Sequence, residues 1–256
     1  QNMRIVVTGA AGKIGREIIE DLSGSHELIL IDRKPVPGHR SLVVDLSQSH
    51  KFDDLHGLSF IWPVTRRGWK KALNGAEIVV HLAEDQNQNA LHRQVFENNM
   101  QATWNLFQAA AAHKVRRVIY ASSNWAVKLL EERLAPGCYT ESGPKITSDA
   151  YPCPKNPYGV GKAFGELAGK FYIDTGQLES FLAVRIGSFD PSQPRDELYS
   201  HLQITAQDLR SLFRRCVEAS FTGFHVIYGV SGQQTGPYDL SHTRRLLGWE
   251  PISLPR

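Results

Sequence analysis

Thr8-Gly9-Ala10-Ala11-Gly12-Lys13-Ile14-Gly15 is the stretch on which the fold turns. It follows Arg4-Ile5-Val6-Val7, an apolar run rich in β-branched residues. It runs into a helical repeat, Ile14, Ile18, Ile19 and Leu22, that Ser23-Gly24 closes. Gly9 can take the tight turn, Gly12 lets a pyrophosphate approach the backbone, and Gly15 lets the helix pack on the strand. The helix N-terminus offers free N–H groups and the positive end of its dipole to an anion. Three spaced glycines alone are a weak signal. Between a strand and a helix they are the context a dinucleotide site requires.

The same alternation continues down the chain. Leu28-Ile29-Leu30-Ile31 reads as a second strand ending at Asp32, and Leu42-Val43-Val44 as a third ending at Asp45. Trp69 to Leu73 reads as a short helix closed by Asn74-Gly75, and Glu77 to Leu82 as a fourth strand. A long helix is expected from about Ala90 to His113, with Phe96, Met100, Trp104, Phe107 and Ala111 on one stripe. Val118 to Ala121 is a fifth strand, Pro157 to Tyr172 a helix, and Phe181 to Ile186 a sixth strand. Apolar strands alternating with helices predict an α/β fold of the Rossmann type: a doubly wound parallel sheet with helices on both faces. Residues 3–186 are expected to form the dinucleotide-binding domain. Residues 187–256, with Pro191, Pro194, a helix over 206–219, a strand over 224–228 and a helix over 241–247, are expected to form a small C-terminal substrate cap rather than an independent domain.

Composition narrows the function. The 256 residues are 41% hydrophobic and 21% charged, near the globular average, which excludes collagen, long coiled coil and wholesale disorder. The net charge is +3, and the basic pairs, such as Arg66-Arg67 and Arg214-Arg215, are scattered, so no nucleic-acid partner is expected. No run of apolar residues is long enough to span a membrane. Gln1-Asn2 reads as a remnant ahead of a start at Met3, with no signal peptide. Cys138, Cys153 and Cys216 are odd in number and lack a Cys-x-x-Cys spacing, so reduced thiols, a cytoplasmic location and no metal site are expected.

The residues at the strand ends carry the chemistry. Asp32 lies about 20 residues beyond the glycine turn, where a carboxylate accepts the adenosine ribose hydroxyls and repels a 2′-phosphate. NAD is expected over NADP, although Arg33 is adjacent. Asp45-Leu46 would lie at the adenine edge and Leu82-Ala83 where the cofactor backbone crosses. Tyr158 and Lys162 are four residues apart on a helix, hence on one face, and Ser122-Ser123-Asn124 ends strand five at the ligand-binding edge of the sheet. A free phenol titrates near pH 10. An ammonium about 4 Å away contributes about 4 kcal/mol at an effective dielectric near 20, roughly three pKa units. On this reading Tyr158 removes a proton from a substrate hydroxyl as hydride leaves its carbon, and Ser123 holds the same oxygen.

Taken together, Thr8-Gly9-x-x-Gly12-x-x-Gly15, His81-Leu82-Ala83, Asn99, Ala121-Ser122-Ser123, Tyr158-x-x-x-Lys162 and Leu247-Gly248-Trp249-Glu250-Pro251 resemble the extended short-chain dehydrogenase/reductases, the group of NAD-dependent sugar epimerases and dehydratases. Within it the chain is most similar to the uronate dehydrogenases, on Ala121-Ser122-Ser123-Asn124, Tyr158 to Glu166 and Val184-Arg185-Ile186-Gly187-Ser188. The resemblance implies oxidation of C1 of a hexuronic acid to an aldarolactone with NAD. It implies Tyr158, Lys162 and Ser123 as catalytic residues. The cofactor set it implies is Gly9, Ala11, Gly12, Lys13, Ile14, Asp32, Arg33, Asp45, Leu46, Leu82, Ala83, Asn99, Ala121, Tyr158, Lys162 and Ile186. The implied substrate set is Gln86, Ser123, Asn124, Trp125, Ser188 and Arg195, with Arg195 as a carboxylate clamp or else a plain surface charge. Trp125 stands where that family has His, Ala83-Glu84 where it has two glycines and Gln86 where it has Ser. Another sugar or a cyclic polyol therefore stays open as the small-molecule substrate. A nucleotide-sugar epimerase or dehydratase and a non-catalytic NAD(P)-sensing module are the alternatives, and a homo-oligomer is expected by analogy with the group.

Overall fold

In the computed structural model the described residues are 2–48, 68–190, 197–231 and 235–252. Seven strands form one parallel sheet: β1 (Arg4–Thr8), β2 (Glu27–Asp32), β3 (Ser41–Val43), β4 (Ile78–His81), β5 (Arg117–Ser123), β6 (Ser180–Ile186) and β7 (Gly223–Gly229). Their order is β3-β2-β1-β4-β5-β6-β7. The chain thus winds outward in both directions from the β1–β4 junction, where open α/β sheets bind ligands beyond the carboxyl ends of their strands.

Period-two alternation splits each strand between two cores. Ile5, Val7, Ile78, Val80, Leu182 and Val184 face one side, where they meet Ile18, Ile19 and Leu22 of α1 (Lys13–Leu22). Val6, Val79, Val118, Tyr120 and Phe181 face the other, against Leu106, Phe107 and Ala110 of α3 (Ala102–Ala112) and Ala168 and Tyr172 of α5 (Pro157–Asp174). The central strands β1, β4, β5 and β6 are buried on both sides, which is why they read as continuous apolar runs, while Leu42 and Val43 of the edge strand β3 are exposed. Gly165 lets α5 lie directly on β5: a Cβ there would come within 2.5 Å of the Tyr120 ring.

Two expectations change. The long helix is not one regular α-helix. α2 (His92–Val95) passes through a π-helical stretch at Phe96–Gln101 into α3. Its i→i+5 turns shift the phase of the apolar face. As a result Phe96 and Trp104 of the expected stripe are left 59% and 36% exposed, while Phe107 is buried. The second change concerns the expected cap. Its strand is β7, paired in parallel along its whole length with β6. Its helix, α7 (Ala206–Glu218), packs on α1 and is held by Arg210–Glu17 and Arg214–Asp21 ion pairs at 2.6 and 2.5 Å. Much of residues 187–256 therefore completes the main α/β layers, because β6 would otherwise present an unpaired edge. The remaining α-helices among the described residues are α4 (Lys128–Leu134), α6 (Glu197–Leu202) and α8 (Ser241–Leu247), and Trp69–Leu73 forms a short 3-10 helix. A separate small core of Val127, Ile146, Tyr228, Val230, Tyr238 and Leu240 joins α4 to the segment after β7.

Candidate active site

The carboxyl ends of β1, β2, β4, β5 and β6 open into a cavity of about 630 Å³. Its first wall is the glycine turn. Gly9 has φ +70°, and a Cβ there would lie 2.6 Å from the Leu82 carbonyl carbon, so the turn can sit against the end of β4 only as glycine. Gly12 is the N-cap of α1 and supplies no side-chain cap, whereas the Asn156 side chain at the start of α5 accepts the Gly159 N–H at 2.9 Å. The first-turn N–H groups of α1 thus keep their capacity to bind an anion. Asp32, at the end of β2, accepts the Ala11 and Lys34 N–H groups at 2.9 Å each and lines the same cavity. A turn of small residues, an uncapped helix start and a fixed carboxylate fit a dinucleotide: the pyrophosphate at Gly12, Lys13 and Ile14, and the ribose diol at Asp32.

Every residue of the expected cofactor set lines this cavity except Asn99. Asn99 is fully buried. Its amide accepts the Asp85 N–H at 2.9 Å and donates to the Asp85 carbonyl at 3.1 Å. From within the π-helical stretch it holds the loop after β4 and does not line the cavity. Of the expected substrate set, Gln86, Ser123, Asn124, Trp125 and Ser188 line the cavity, and Arg195 falls outside the described residues.

The expected catalytic residues meet at β5 and α5. The Ser123 hydroxyl donates to Asn124 Oδ1 and accepts the Trp125 N–H, both at 3.2 Å. Tyr158 and Lys162 line the cavity side by side, with Lys162 Nζ 5.5 Å from the Tyr158 ring centre. The simple picture of a lone ammonium beside a phenol changes here. Lys162 donates to the Ala121 carbonyl at 2.5 Å and pairs with Glu84 Oε2 at 2.5 Å. Burial pulls the Lys162 pKa down; the acidic groups around it, Glu84 first among them, together outweigh burial and hold the ammonium above the ordinary lysine range.

Two contributors escaped the sequence reading. Glu84 stood out only as a departure after strand four. Its side chain is 2% exposed and also accepts the Tyr120 hydroxyl at 2.5 Å. Lys128 lines the far end of the cavity near the Trp125 ring, with its ammonium on the buried carboxylate of Glu131. Its signal was the place it holds, one turn after Ser123-Asn124-Trp125. Behind Ser122, Glu166 accepts the Ser122 hydroxyl at 2.6 Å and receives Arg185 through two bonds of 2.9 and 2.8 Å.

Comparison with known proteins agrees with this geometry. A family model described as the NAD dependent epimerase/dehydratase family matches residues 5–188. An NAD-dependent glucose-6-phosphate dehydrogenase of Haloferax volcanii is 30% identical over 96% of this chain and 92% of its own length. An L-arabinose 1-dehydrogenase (NAD(P)(+)) of the same organism is 28% identical over 97% of this chain and 96% of its own length. Among solved structures, a uronate dehydrogenase variant from Agrobacterium tumefaciens complexed with NAD superimposes with a TM-score of 0.78 at 28% identity, covering 99% of this chain and 86% of that one.

Proposed function

The chain belongs to the NAD dependent epimerase/dehydratase family, and from that premise we propose that it is an NAD-dependent dehydrogenase oxidising a hydroxyl of a sugar or sugar acid. The observation that carries this reading is that Ser123, Tyr158 and Lys162 line one cavity with the uncapped glycine turn and Asp32. Bound NAD would supply the hydride acceptor. The chain's own work is on the proton. Tyr158 Oη takes the proton of the substrate hydroxyl, and Ser123 Oγ holds the same oxygen so that the proton lies in reach. Lys162 keeps a positive charge beside the phenol, 5.5 Å from its ring centre.

Relatives in this family are named for glucose 6-phosphate, L-arabinose and uronate, so the substrate is argued from the cavity. Asn124 and Gln86 offer amides to sugar hydroxyls, and the Trp125 ring offers a stacking face to a pyranose. Oxidation of C1 of a hexuronate to its lactone is the first reaction to test. Lys128 is a cation that the described residues bring to the cavity beside Trp125, and Arg195 lies outside the described residues.

The deciding experiment is NADH formation from NAD with hexuronates, hexoses, pentoses, inositols and sugar phosphates. NADH accumulating in step with substrate loss is the expected result. Conversion of a nucleotide sugar with no net NADH would instead establish an epimerase or dehydratase.

A further inference from the structure

We infer that Glu84 is a positioning residue that keeps the buried Lys162 ammonium charged and fixed under the cavity, so that Glu84 sets the pH range over which Tyr158 and Lys162 can work. The inference rests on the dehydrogenase reading for its kinetic arm and stands apart from it in its spectroscopic arm.

The geometry is specific. An ammonium has three N–H donors. Lys162 donates one of them to the Ala121 carbonyl at 2.5 Å, and its ammonium lies 2.5 Å from Glu84 Oε2 as an ion pair. The side chains of Glu84 and Lys162 are 2% and 5% exposed, so water does little to support either charge. A buried ammonium without a carboxylate sheds its proton at lower pH.

Glu84 is itself oriented by neutral groups. Its Oε1 accepts the Tyr120 hydroxyl from β5 at 2.5 Å and the Thr103 hydroxyl from α3 at 3.3 Å. Burial, and then Glu84 itself, hold the Tyr120 phenol in its protonated form. His81 of β4 stacks on Tyr120; burial, helped by the Lys162 charge, pushes its pKa down to about 3 and leaves it neutral. From α5, Glu166 is taken up by Arg185, and Tyr158 and Lys162 are the working pair. Asp85, next in the chain, has its backbone N–H on Asn99. Of the described groups facing Glu84, Lys162 is the cation.

The sign follows from electrostatics. Removing one fixed negative charge makes every nearby proton easier to lose. In Glu84→Gln, which keeps the shape, Lys162 discharges at lower pH. The alkaline limb of the pH–rate profile for NADH formation should move to lower pH, by about one unit or more. A packing role would change the rate or the melting temperature and leave that limb where it is. That outcome overturns the inference.

The second readout needs no turnover. In NAD-free protein carrying ¹⁵N-lysine, the Nζ resonance assigned by its loss in Lys162→Met should titrate at lower pH in Glu84→Gln than in the wild type. An unchanged midpoint overturns the inference whether or not a substrate is known. Absence of NADH with every sugar would count against the dehydrogenase reading alone. Glu84→Asp, which keeps the charge, should retain the wild-type range in both measurements. A shift equal to that of Glu84→Gln would show that the charge is not what matters.

Discussion

Asp32 Oδ2 accepts the Ala11 N–H across 2.9 Å, tying the end of β2 to the middle of the glycine turn, while Oδ1 accepts the Lys34 N–H at the same distance. The carboxylate is thereby aimed before any ligand arrives, and a preorganised acceptor loses little freedom on binding.

Replacing Asp32 with Ala should therefore weaken NAD much more than NADP. Hydrogen bonds to a charged group contribute about 1.5–3 kcal/mol, so the loss for NAD should be roughly ten- to a hundredfold. NADP, whose 2′-phosphate the carboxylate repels and Arg33 can attract, should lose little or gain. Fluorescence titration with both nucleotides measures this, and equal losses would refute the ribose assignment.

Tyr158→Phe removes one oxygen from a ring that is nearly buried, so the fold should be retained. Turnover should fall by about 10²–10⁴, the usual weight of a positioned general base, with NAD affinity nearly unchanged. A fully active variant would mean that another group takes the proton.

His81 predicts an acid limit to stability. Its ring is bonded to Thr8 at 2.7 Å and Thr103 at 2.9 Å. Burial first, then the Lys162 charge, lower its pKa from 6.5 to about 3. The unfolded chain therefore binds one more proton than the folded one between those values. The stability due to neutral burial is complete above pH 6.5 and is lost as the pH falls toward 3. The slope should approach about 1.4 kcal/mol per pH unit. Urea midpoints measured from pH 7 to pH 4 should show it, and His81→Gln should flatten it.

Arg185 and Glu166 are buried together, with side chains 2% and 4% exposed. Arg185→Met should cost about 3–5 kcal/mol, because it strands the Glu166 carboxylate behind Ser122. The double variant Arg185→Met with Glu166→Leu should recover much of that loss, since a buried pair exchanged for apolar groups is often neutral. A double variant as unstable as the single one would show that the bond from Ser122 matters more than the charge.

The glycine turn, the apolar strands and the Tyr158–Lys162 spacing were legible in the amino-acid order because each depends on neighbours a few residues apart. Strand–turn–helix chemistry and helical period are local properties, and Gly9, Gly12, Asp32, Tyr158 and Lys162, which they singled out, all line one cavity. Asn99, which the resemblance assigns to the cofactor set, is bonded to the Asp85 backbone from within a π-helical stretch, an irregularity that composition and period do not signal. The place of β7 was also hidden, since strand order depends on pairing between distant segments. The same holds for the charge balance of the site. Sequence alone determined that a phenol and an amine share a helix face. Only the packing of β4, β5, α3 and α5 decided that the amine would be buried against Glu84, because an ion pair depends on distance in space and on the exclusion of water, and neither is written along the chain.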